Sequence, residues 1–119
     1  LGEFNYAANG ISGLETALAL ANTCLIKENI IDYKSLLKLM YEKPIELFEL
    51  DKVGIKKGKL ADLIIFNPDK EWEVKVDEFK SKGKNTPFAG HKLTGKNEIT
   101  FSSGKLVYDN RGDKAEILY

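Results

Sequence analysis

The chain has 119 residues, enough for one small domain with one modest core. Its 18 basic and 18 acidic residues cancel, so the basic excess that serves nucleic acid or an anionic membrane surface is absent. One cysteine excludes an internal disulfide framework, and one histidine leaves too few ligands for an autonomous zinc centre of the usual kind.

Residues 1–8 show no clear element, and Phe4 and Tyr6 are apolar side chains that want cover. The abrupt start without methionine reads as a piece of a longer protein. Next comes N-G-I-S-G-L-E-T, residues 9–16, a glycine-punctuated loop that runs into a helix start. Ser12 and Glu15 have the spacing of a capping box, in which the carboxylate reaches back to the serine N–H. The helix beyond carries Leu14, Ala17, Leu18, Ala21 and Leu25 at helical spacing. Leu20 and Cys24 widen that face, so cover on more than one side and a buried, inert Cys24 thiol are expected. The helix should end near residues 27–29, with Lys27 favourably placed in the last turn. Residues 16–26 are too short and too polar to span a bilayer, and no secretory signal pattern precedes them. A cytoplasmic location follows as the expectation.

Asp32 is a good N-cap for a second helix with Tyr33, Leu36, Leu37 and Met40 on one face. That helix should stop before Lys43-Pro44, because a residue preceding proline resists the α region. Pro44 then opens a short third helix, residues 44–48. After Leu50 the character changes. Residues 54–58 are turn-rich, and residues 61–66 form a continuous apolar run that predicts a strand buried on both faces. Asn67-Pro68-Asp69 reads as a closing turn. Trp72, Val74 and Val76 alternate with charged residues as in a half-buried strand. Residues 81–90 read as a long loop, with Lys80, Lys82 and Lys84 as solvated decoration. Residues 98–101 and 105–108 form a hairpin around Ser102-Ser103-Gly104. Residues 109–112 form a turn, and residues 113–119 a frayed tail. Segregated helices and strands suggest an α+β arrangement.

Little chemistry is carried by these residues alone. His91 is the one orthodox base and sits in a loop-like stretch far from Cys24. No G-x-S-x-G elbow occurs. Gly10, Gly13 and the helix start could seat an anion, but Glu15 places a negative charge there and the P-loop pattern is absent. Backbone groups near Asn9 and Gly10 could still contact a small polar ligand, because Gly10 permits close approach. The alternative is that both glycines only serve the turn.

Three stretches together resemble the C-terminal end of dihydroorotase, in the amidohydrolase superfamily. Residues 4–16, F-N-Y-A-A-N-G-I-S-G-L-E-T, are similar to that family's F-x-x-A-x-x-G-I-x-G-L-E-T. Residues 54–68, G-I-K-K-G-K-L-A-D-L-I-I-F-N-P, resemble the superfamily segment that enters its small β-domain. Residues 81–95, S-K-G-K-N-T-P-F-A-G-H-K-L-T-G, are similar to the S-K-x-x-N-T-P-F-x-G-x-x-L-x-G signature, and G-K-L-V-Y follows. The second motif marks only the superfamily; the first and third select dihydroorotase.

The resemblance implies an α/β parent enzyme, a metal-dependent (β/α)8 barrel with a small β-sandwich built from both chain ends. That parent interconverts N-carbamoyl-aspartate and dihydroorotate in pyrimidine biosynthesis. Residues 1–50 would be the helical end of the barrel and residues 51–119 the C-terminal share of the composite β-domain. Zinc in the parent is held by an H-x-H pair, a carboxylated lysine, two further histidines and an aspartate. None of these motifs occurs here, so the resemblance assigns this chain no catalytic and no metal residue and no hydrolase activity of its own. It does imply substrate binding through the backbone of Asn9 and Gly10. Many relatives have Pro-Phe-Gly where this chain has Ala8-Asn9-Gly10, so no role passes to the Asn9 side chain. The partners implied are the small-molecule substrate and the rest of the barrel, with no nucleic acid and no membrane; a homo-oligomer is compatible. Three other readings stay open: an allantoinase- or hydantoinase-like parent, a non-catalytic dihydroorotase-like partner protein, and a free-standing binding module.

Overall fold

The computed structural model describes residues 9–51, 54–112 and 116–117. Phe4 and Tyr6, Ala8, and most of the C-terminal tail lie outside the described residues. Helix α1 (Ala17–Ala21) continues into a wider turn, Asn22–Ile26, where the Lys27 N–H donates to the Asn22 carbonyl five residues back. Asn29 ends the path at φ 56°, a left-handed position that asparagine tolerates. Helix α2 (Tyr33–Leu37) starts as expected, with the Asp32 carboxylate accepting from the Ser35 N–H at 2.8 Å.

The expected break before Pro44 does not occur. Lys43 is helical at φ −66°, ψ −42°, and the path runs from α2 through a widened turn, Lys38–Glu42, into α3 (Lys43–Leu47). The Lys43 N–H donates to the Lys38 carbonyl, five residues back. Wider spacing relieves the clash between the proline ring and the preceding turn, so the helix absorbs proline where a regular helix would end.

The strands form one antiparallel sheet in the order β1 (Leu63–Glu73), β2 (Lys92–Ser102), β3 (Lys105–Asp109), β4 (Glu116–Ile117). Three details differ from the expectation. First, Asn67-Pro68-Asp69 is not a turn between strands. β1 passes straight through it, with register shifts between Ile65 and Phe66 and between Asn67 and Glu71. The Asn67 side chain accepts from the Asp69 N–H at 3.1 Å, so turn chemistry makes a bulge, where the missing N–H of Pro68 is tolerated. Second, the apolar run is not buried on both faces: Ile64 and Ile65 are exposed, and β1 is an outer strand of the described sheet. Third, β2 begins at Lys92, ahead of the expected strand start at Glu98, and Glu116–Ile117 pairs with β3, so part of the expected tail is strand, while residues 81–90 are a loop as read. The hairpin is as read, turning at Ser103 (φ 50°) and Gly104 (φ 78°), the left-handed pair that matches strand twist.

Ala19 of α1 packs with Val74, Phe79 and Leu93, and Leu20, Trp72 and Phe88 close around them. Trp72 and Val74 are covered and Glu71, Glu73 and Lys75 exposed as expected, but β1 ends at Glu73 and Val76 opens a 3-10 turn, Val76–Glu78, so the strand stops short of the expected alternation. The radius of gyration is 16.2 Å, against about 13.5 Å for a compact chain of this length. The elongation goes with exposed apolar side chains along α2, α3 and the connection to β1.

Candidate functional site

Asn9 and Gly10 form an exposed lip in front of α1. Among the described residues, a Cβ built on Gly10 would meet nothing within 4 Å, so they leave one side of the lip open to close approach. What holds the lip comes from a distant stretch. Asn85 donates from Nδ2 to the Gly10 carbonyl at 2.6 Å. Its Oδ1 accepts from the Ser12 hydroxyl at 3.0 Å, and its carbonyl accepts from the Ser12 N–H at 2.8 Å. Gly83 allows this approach, because a Cβ there would lie 2.5 Å from Ser12 Oγ.

The capping box is therefore not a capping box. The Ser12 N–H is committed to Asn85, and the Glu15 carboxylate accepts from the N–H groups of Lys80 and Ser81, each at 3.0 Å. Thr16 occupies the N-cap position of α1 without a side-chain capping bond; its N–H and hydroxyl turn back to the Gly13 carbonyl instead. Partial burial pushes the Glu15 carboxyl up, but the N–H groups of Lys80 and Ser81, the Ser81 hydroxyl and the Lys84 charge outweigh it and hold the carboxyl below its ordinary value. Two backbone donors on one carboxylate make a charge-assisted tie between the start of α1 and the loop after Phe79.

A second set of polar contacts seats α1 on the sheet. Asn22 is fully buried and donates to the Thr94 carbonyl at 2.7 Å and to the Pro68 carbonyl at 3.0 Å, while the Tyr33 hydroxyl donates to its Oδ1. The Thr23 hydroxyl accepts from the Thr94 N–H at 2.8 Å. Gly95 must be glycine: φ is 103°, and a Cβ would sit 2.5 Å from Phe66 Cζ and 2.7 Å from Asn22 Nδ2. The Trp72 indole donates to the Gly95 carbonyl at 2.8 Å, and Lys96 Nζ lies 5.1 Å from the Trp72 ring centroid. Sequence reasoning missed Asn22 and Thr23. The signal was there, since a polar pair inside an apolar helix must find partners when buried.

The remaining candidates separate. Cys24 is exposed, against the expected burial, because α1 has the sheet on one side only. His91 is exposed and stands edge-on to Phe88 at 5.8 Å between ring centroids. The turn between β2 and β3 rests on the second motif, with the Ser103 N–H donating to Asp62 Oδ1 at 2.7 Å and the Gly104 N–H to the Ala61 carbonyl at 2.9 Å. Among the described residues no three of His, Cys, Asp and Glu converge as a metal site requires, so these residues do not fit a zinc ion. No helix among them is long and apolar enough to cross a membrane.

The three motifs thus become one assembly, with the first and third clasped at Asn85 and the second holding the hairpin. A model of the amidohydrolase family matches residues 4–107. The chain belongs to the amidohydrolase family. Among curated relatives, it is 42% identical over 109 residues to a dihydroorotase of Clostridium acetobutylicum, covering 92% of this chain and 26% of that protein. It is 44% identical over 110 residues to a dihydroorotase of Lactobacillus johnsonii, covering 91% and 26%. Among solved structures it is similar to the L-hydantoinase (dihydropyrimidinase) of Arthrobacter aurescens, with a TM-score of 0.80 and 33% identity over 95% of this chain and 25% of that one. This amidohydrolase chain spans about a quarter of the length of the curated relatives it matches.

Proposed function

We propose that this amidohydrolase chain is the C-terminal portion of a dihydroorotase, the cyclic amidohydrolase that interconverts N-carbamoyl-L-aspartate and dihydroorotate. Residues 1–50 supply the helical end of a (β/α)8 barrel and residues 51–119 the C-terminal share of a β-sandwich domain. Asn9 and Gly10 present backbone groups to the substrate. The observation that carries the reading is the match to curated dihydroorotases over about nine-tenths of the chain. The geometry supports it, since the lip is open at Gly10 and anchored from behind by Asn85.

A ring amide presents a carbonyl acceptor and an N–H donor. Backbone N–H and C=O groups at the lip answer both without any particular side chain, which suits a position occupied by Asn9 here. The Gly10 carbonyl keeps a second lone pair after accepting from Asn85. Zinc belongs to the parent and to residues outside this chain. The chain alone carries no hydrolase activity, and the parent is cytoplasmic.

The test is an assay of the full-length parent with dihydroorotate, allantoin and hydantoin. Turnover of dihydroorotate at the highest kcat/KM is expected. Preference for either other ring reassigns the substrate, and no turnover of any of them favours a non-catalytic partner protein.

A further inference from the structure

We propose that Asn85 is a positioning residue for the substrate, acting through the Asn9–Gly10 lip; this rests on the dihydroorotase reading above. Asn85 lies 75 residues from Gly10 in sequence, yet its single side-chain amide bridges both arms of the lip. Nδ2 holds the Gly10 carbonyl at 2.6 Å, and Oδ1 takes the Ser12 hydroxyl at 3.0 Å. The Ser12 N–H to Asn85 carbonyl bond, 2.8 Å, joins the two backbones directly.

Among the described residues, packing does not do this work at Gly10: a Cβ there would meet none of their atoms within 4 Å, so none of their side chains limits its movement on that side. Directional hydrogen bonds therefore set where the Gly10 backbone points. Glu15, bonded to Lys80 and Ser81 at 3.0 Å each, holds the base of the same loop against the start of α1. Removing the Glu15 tie loosens the base, whereas removing Nδ2 frees the Gly10 carbonyl itself.

The lip touches substrate in the ground state and in the transition state alike. Loosening it then costs uniform binding, which appears in KM and leaves kcat in place. The deciding substitution is Asn85→Asp in the full-length parent. It keeps the size and the acceptor for Ser12 but replaces the donor to Gly10 with a carboxylate oxygen that repels the carbonyl. Losing one such bond predicts a KM raised about fivefold to tenfold with kcat within about twofold. Ser12→Ala, which leaves the Gly10 bond in place, raises KM by about threefold.

Steady-state kinetics and thermal unfolding are measured on the wild type and both variants. A purely structural clasp would lower the unfolding temperature and leave KM unchanged. If the wild type hydrolyses dihydroorotate and both variants keep KM within about twofold of it, the role of Asn85 is overturned and the function stands. If Asn85→Asp does not fold, Ser12→Ala decides by the same criterion. If the wild type hydrolyses only hydantoin or allantoin, the dihydroorotase reading falls, and Asn85 is judged on that ring by the same KM comparison. A wild type that hydrolyses none of the three overturns both.

Discussion

The two ends of the helical region are held in opposite ways. Residues 9–23 are tied to the sheet and its loop by directed polar contacts: Ser12 and Gly10 to Asn85, Glu15 to two backbone N–H groups, Asn22 and Thr23 to Thr94. The helices α2 and α3 have apolar faces and few such ties. Leu36 is buried, and the Tyr33 hydroxyl reaches Asn22, but Leu37, Leu39, Met40, Leu47 and Phe48 are exposed, Leu47 to 76%. Polar contacts need a partner at one distance and one angle, so they record which surface a segment was built to meet. Apolar faces record only that they were built to be covered. A run of exposed large apolar residues is the kind of face that marks contact with a further surface.

Three substitutions test this contrast. The largest effect is expected at Gly95→Ala. The new Cβ collides with Phe66 and Asn22 at a left-handed backbone position. A loss of about 2–4 kcal/mol is expected from strain and displaced packing, read by urea unfolding. A loss under about 0.5 kcal/mol would mean that the seat of α1 on β2 is loose.

Glu15 gives a smaller, pH-dependent effect. Its carboxyl is held below its ordinary value in the folded chain, so the tie is fully present above the unfolded value, near 4.5, and is lost as pH falls through the lower folded value. Glu15→Gln, which cannot ionise, should flatten the fall in unfolding temperature between about pH 5 and pH 3. Equal acid sensitivity in the wild type and the variant would show that the carboxylate adds nothing over a neutral acceptor.

The smallest effect is expected on the other side of the contrast. Leu47→Ser should change the stability of this chain by less than about 0.5 kcal/mol, because an exposed leucine has little packing to lose. The same substitution in the full-length parent should cost about 2 kcal/mol or more if the face is covered there. Equal small effects in both would mean that α3 stays solvated in the parent.

Local signals were legible wherever short-range chemistry decides. Asp32 caps α2, Asn29 closes α1 and Ser103-Gly104 turns the hairpin, each through its own neighbours. Signals failed where a residue type has both a local and a distant use. Ser12 and Glu15 fit a capping box, but both are spent on the loop after Phe79, which supplies acceptors for Ser12 and backbone donors for Glu15. Asn67-Pro68-Asp69 fits a turn, but β2 pairs on either side of it and turns it into a bulge. Lys43-Pro44 fits a helix stop, but a widened turn carries the helix through.

The lip shows the same division. Its glycine, the close approach that glycine permits and its place before a helix could all be read from residues 9–16. The role of Asn85 could not, because nothing in the residues around position 85 points to position 10. That helices come before strands, and that the motifs are those of an amidohydrolase chain, could be read directly, because both rest on residue type and spacing along the chain. What Ser12, Glu15, Asn22 and Asn85 hold was set by the fold, because a hydrogen bond across more than sixty residues depends on where the rest of the chain delivers its partner.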